Sequence, residues 1–136
     1  MLQVRLLLLV GVATAGIGMG QTQSPRKLIA SLDGKELLVS YCASCHGMDG
    51  KGHGPVAPVL KVEVPDLTSI QKRRAGKFPV GELEKFILGE TAVKAAHGTT
   101  EMPVWGPVFK RVEKDQDLGL VRVRKVVEYL KTLQGK

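Results

Sequence analysis

Cys42-Ala43-Ser44-Cys45-His46 is the most telling segment of this chain. It holds the only two cysteines among 136 residues, and one of the three histidines follows the second cysteine at once. A Cys-x-x-Cys pair serves as a disulfide or thiol redox centre, as half of a zinc site, or as an attachment point for a prosthetic group. A disulfide across two intervening residues closes too short a loop to constrain the unfolded chain much. A thiol redox centre follows a strand in a βαβ context, and no alternating strand pattern of useful length occurs here. Zinc wants two more ligands at matching spacing, and the chain has neither a second Cys-x-x-Cys nor a His-x-x-x-His. The Cys-x-x-Cys-His pattern is the attachment signature of a c-type haem. Its two thiols add across the vinyl groups at one edge of the porphyrin. The next residue, His46, is then carried under the ring, where its imidazole can bind iron from the proximal side.

Outward from the motif, the pattern is helical. Asp33 with Glu36 is a capping-box pair, and Leu37, Leu38 and Tyr41 give one apolar face running to about Ser44. Gly47–Pro65 is rich in glycine and proline and reads as an ordered loop. Thr68 is the expected N-cap of a short helix that Gly76 ends. A further helix spans about Val80–Leu88, with Leu83, Phe86 and Ile87 inward and Gly89 as its stop. Thr91–Phe109 reads as a second long loop containing Gly98, Pro103, Gly106 and Pro107. The last helix covers about Gln116–Leu133, with Val123, Val127 and Leu130 on one stripe and Asp115 or Asp117 as cap. Only 4% of residues are aromatic (three Phe, two Tyr and one Trp). So thin a core suits a chain that folds around an apolar macrocycle, and equally a small all-helical domain.

A haem iron bound by His46 has a second axial position, for which Met102, His53, His97 and Met48 are the candidates. Met48 and His53 follow His46 closely and cannot easily reach round the ring. His97 and Met102 lie in the second long loop, far enough along to cover the opposite face. Met102 is favoured because Pro103 and Gly106-Pro107 stiffen the backbone around it, and a weak thioether ligand benefits from being held in place. A buried core methionine is the competing reading. Trp105 is expected at the haem edge, near a propionate, or in the plain core.

The N-terminus reads as an export signal. Met1–Arg5 carries one positive charge, and Leu6–Gly20 is apolar or small apart from Thr14. Such a run falls short of the roughly 20 residues needed to span a bilayer. The expected organisation is a signal over 1–20, a flexible lead-in over 21–32 and one domain over 33–136, exported to a bacterial periplasm. A retained N-terminal anchor is the alternative, and the only route to membrane association. The formal charge of +7 favours acidic partners. No nucleic-acid motif is present, and the basic residues are not interleaved with aromatics. Candidate docking clusters are Lys72, Arg73, Arg74 and Lys77; Arg122, Arg124 and Lys125; and Lys110, Arg111 and Lys114.

The order Cys42–His46, Gly52–Leu60, Asp66-Leu67-Thr68, then Glu101-Met102-Pro103-Val104-Trp105-Gly106 resembles a class I cytochrome c of the small bacterial, single-haem type. The likeness runs over about Asp33–Leu133. It implies an all-α cytochrome c fold, about four helices wrapped around one haem c bonded to Cys42 and Cys45. It also implies His46 and Met102 as the axial pair, and Pro58 as the residue whose carbonyl accepts the proximal imidazole N–H. Tyr129 becomes the aromatic where the first helix crosses the last. The implied role is that of a monomeric electron carrier, not an enzyme, exchanging electrons with redox protein partners. A fixed haem subunit of a larger oxidoreductase, or a peroxidase-like or ligand-binding protein with an open sixth site, are the alternatives.

Overall fold

The computed structural model describes residues 29–90, 102–112 and 116–135, without the side chains of 116 and 117. The expected signal, most of the lead-in, His97, Lys114, the proposed cap Asp115 and the side chain of the other proposed cap, Asp117, lie outside what is described. Among the described residues the secondary structure is helical, with no strand.

The first helical stretch begins as α1 (Gly34–Leu37), widens into a π turn over Leu38–Cys42, and ends as α2 (Ala43–His46). Asp33 caps it by accepting Glu36 N–H at 2.7 Å. The expected capping box is only half formed. The Glu36 carboxylate instead accepts the Ser31 hydroxyl, and that hydroxyl takes Asp33 N–H. The π turn carries no sequence signal, yet it leads directly into the cysteine motif; such turns are frequent at functional sites.

After a short 3-10 turn at Ala57–Val59, a second turn at Leu67–Ser69 runs into α3 (Ile70–Arg73). Its cap is Asp66, which accepts Thr68 N–H at 2.7 Å, so the expected cap at Thr68 lies two residues too late. Helix α4 (Val80–Leu88) ends at Gly89 as its spacing requires. The expected second loop does not extend to Phe109, because Gly106–Arg111 forms helix α5. Pro107 sits in the first turn, where a missing N–H costs nothing. Helix α6 (Gln116–Thr132) closes the fold.

Leu37 and Leu38 pack with Ile87, Phe109, Val123, Val126, Val127 and Leu130 in one core. Helix α1 crosses α6 at Gly34, where a Cβ would meet the Lys125 carbonyl and stand 2.8 Å from Tyr129 Cβ. Tyr129 thus lies at the expected crossing. Tyr41, Trp105 and Phe109 form an aromatic trio, Tyr41 edge-on to Phe109 at 5.1 Å and to Trp105 at 5.7 Å. This geometry is worth about 0.5–1.5 kcal/mol per pair beyond the area buried.

Arg122 departs from expectation. It is fully buried and donates from Nε to Ser31 O at 3.2 Å and from Nη1 to Phe109 O at 3.4 Å. A charge placed by sequence on a docking face is a structural tie, because position 122 falls on the same inward stripe of α6 as Val123 and Val126.

Candidate functional site

The cysteine motif sits at the carbonyl end of a helix, where the last four C=O groups lack intrahelical partners. The glycine-rich segment turns back and supplies donors. Gly52 N–H bonds to His46 O at 2.7 Å, Gly54 N–H to Cys45 O at 2.9 Å, and Val56 N–H to Ser44 O at 2.9 Å. At Gly54 a Cβ would overlap the Ala43 and Ser44 carbonyl oxygens and stand 2.6 Å from Cys45 C. Only glycine permits this approach. Leu67 N–H then reaches Gly50 O at 2.7 Å, and Gln134 donates to Leu67 O at 2.9 Å, tying the end of the chain to the same platform.

His46 is buried, with Nδ1 3.3 Å from Pro65 O. A carbonyl can only accept, so Nδ1 carries the proton and Nε2 keeps its lone pair. Burial pushes the imidazole pKa down, against the opposing effect of the Pro65 contact, which favours the neutral, ligating form. The acceptor is Pro65 and not Pro58. Pro58 lies in the Ala57–Val59 turn and is exposed. The loop runs seven residues further before its backbone returns to the ring, and the Pro65-Asp66-Leu67-Thr68 block pins it there.

Above His46 opens a cavity of about 780 Å³ with mostly apolar walls, within the roughly 300–1,000 Å³ usual for cofactor sites. The first helical stretch gives it Leu38, Tyr41, Cys42, Cys45 and His46, and α4 gives Leu83, Phe86 and Ile87. The second long segment gives Met102, Pro103, Trp105 and Phe109. Its charged members are Glu63, Arg73, Arg74 and Glu82. Arg73 donates to Asp66 O at 2.8 Å and to the Ser69 hydroxyl, and Arg74 pairs with Glu82 at 3.1 Å. Sequence reading placed these arginines on a docking face; their spacing carries no signal that they also border the cavity. Met48 is 67% exposed and His53 is exposed, and neither lines the cavity, whereas Met102 does.

Burial, and then the neighbouring Cys45 thiol, push the Cys42 thiol up to about 12. Redox-active Cys-x-x-Cys centres depend on a depressed thiol pKa, so Cys42 is ill suited to thiol exchange. Among the described residues no three His, Cys, Asp or Glu side chains cluster as a metal site.

The family model for cytochrome c matches residues 31–134. The chain belongs to the cytochrome c family. No curated protein and no solved structure matches it. A cytochrome c carries a covalent c-type haem and works by haem-based electron transfer. The residues of this cytochrome fit such a group. Two thiols flank an apolar cavity that also holds an imidazole nitrogen free of hydrogen-bond duty and a thioether.

Proposed function

We propose that this cytochrome is a single-electron carrier. One haem c is held through thioethers from Cys42 and Cys45, with His46 and Met102 as its axial ligands. The observation that carries the reading is that His46 and Met102, far apart in sequence, line one apolar cavity together with both thiols. The haem supplies a one-electron couple whose potential a thioether ligand raises. Pro65 O fixes the His46 tautomer and holds its ring in one orientation. Leu38, Leu83, Phe86 and Ile87 keep water out, so the charge change meets little solvent reorganisation. With both axial positions taken by side chains, small substrates find no vacant site, which favours a carrier over a peroxidase.

The apolar run at Leu6–Gly20 supports export to a bacterial periplasm, and the chain's size a monomer. Lys72, Lys77, Lys110 and Arg111 are exposed and suit redox partners with acidic docking faces. Electron-transfer encounters are small and transient, so long-range steering sets their rate. Partner reduction should slow as ionic strength rises; a flat salt dependence would remove the charge-docking part of the reading.

The ligation is tested by absorption spectra of protein matured in an export-competent host, oxidised, reduced, and reduced under carbon monoxide. Expected are sharp reduced bands, a weak long-wavelength band in the oxidised form, and only weak binding of carbon monoxide, at concentrations far above those that fill an open site. Ready carbon monoxide binding would overturn the Met102 assignment.

A further inference from the structure

The segment that follows Met102 is joined to the end of α4 through backbone contacts. Ile87 O, one of the carbonyls a helix terminus leaves unpaired, accepts Trp105 N–H at 3.1 Å. Gly89, the cap, is left-handed at φ 76° and ψ 20°. Val104 lies directly against it: a Cβ at 89 would overlap Val104 Cγ1 and stand 3.2 Å from Cγ2 and 3.3 Å from Cβ. Gly106 faces Leu88, where a Cβ would stand 2.6 Å from the carbonyl oxygen. Residues 104–106 thus lie against 87–89 in a seam, with backbone facing Gly106 and the half-exposed Val104 side chain packed on Gly89. The seam begins two residues after Met102, and α4 is also a wall of the cavity that Met102 lines.

A methionine side chain has three rotatable bonds and does not hold itself in place. Its backbone must. We propose that the Gly89–Val104 seam is a latch that holds Met102 against the cavity and sets how rarely its thioether leaves the iron. Gly89 and Val104 are then positioning residues. The inference rests on the axial reading of Met102 given above. When the thioether is off, an added ligand can take the position. Its apparent affinity scales with the fraction of molecules in that competent state.

The test is equilibrium carbon monoxide titration of reduced, haem-loaded protein, together with the long-wavelength band of the oxidised form. Five proteins are compared: wild type, Met102→Ala, Gly89→Ala, the double variant Gly89→Ala/Val104→Ala, and Gly81→Ala. Gly81 is a control on the same helix, where a Cβ meets nothing within 4 Å. Gly89→Ala is expected to bind carbon monoxide about tenfold more tightly than wild type, through a competent fraction raised by that factor, and to lose part of the band. The double variant lacks the γ-methyls that clash and should recover most of the wild-type behaviour. Gly81→Ala should match wild type.

A Gly89→Ala protein as resistant as wild type would overturn the latch. So would a double variant no better than the single one, because the effect would then be left-handed strain at alanine and not the seam. If wild type and Met102→Ala bind carbon monoxide alike, the axial reading itself fails and the latch falls with it. No glycine variant can produce that result. Should Gly89→Ala yield no haem-loaded protein, the double variant decides: holoprotein with near wild-type affinity supports the seam, and its absence overturns it.

Discussion

The two halves of the cavity are built by different means. The His46 side is local: motif, turn and acceptor all lie between Cys42 and Thr68, and a dense run of backbone bonds folds the glycine segment onto the helix end. The Met102 side is remote. Its segment is fixed by the seam with α4, by the aromatic trio, and by packing of α5 on α6. Local construction gives a side whose geometry is nearly dictated by sequence spacing. Remote construction gives a side whose geometry depends on how well separate helices dock.

The comparison breaks most severely at Gly54. Gly54→Ala forces a methyl into the Ala43 and Ser44 carbonyls. Overpacking against backbone, which cannot rotate aside, costs about 1–3 kcal/mol or more. A large part of the stability of so small a domain would go. Thermal unfolding should show the fall, with a lower yield of haem-loaded protein. A variant as stable as wild type would mean that the glycine segment is not the rigid partner of the helix end.

Arg122 sharpens the contrast because it spans both sides. It ties Ser31, at the entrance to the first helix, to Phe109, beneath the Met102 segment. Arg122→Met keeps much of the volume but strands two carbonyl oxygens, at about 1–3 kcal/mol for a buried unsatisfied group. Denaturant unfolding should report the loss. If Arg122 were a docking residue, stability would hold and partner reduction would slow instead.

The smallest effect is expected at Asp66, beside the Pro65 acceptor. Burial alone would raise its pKa, but hydrogen bonds from Thr68 and Ser69 and the charge of Arg73 hold it below the usual value. A depressed folded pKa adds stability that is present above the unfolded value of about 3.9 and is lost as pH falls through the folded one. Asp66→Asn should therefore lower the unfolding temperature slightly at neutral pH. The gap should close as the wild-type carboxyl protonates in acid. The carboxylate is largely solvent-screened, so the difference stays under about 1 kcal/mol. A gap that persists unchanged at low pH would assign the effect to packing.

Much of this was legible in the chain itself. Residue order places Cys42, Cys45 and His46 on one helix end, because covalent spacing and the helical repeat leave them nowhere else to go. The periodicities of α4 and α6 expose their apolar stripes, and Gly89 announces a helix stop because it can adopt a positive φ at no steric cost. Met102 could be expected at the cavity by its distance along the chain and its stiff surroundings. Pattern alone did not reach the residues whose roles depend on contacts made across the fold. Pro65, and not Pro58, meets the imidazole, because loop length does not say where a turn brings its backbone back. Arg122 is interior, because one charged side chain on an inward stripe looks no different in sequence from a surface one. Gly106-Pro107 opens a helix and not a loop, since both signals suit either state until α6 offers a surface to pack on. Short-range chemistry determined what this chain can bind; only the docking of helices decided which backbone atoms hold each side of the cavity in place.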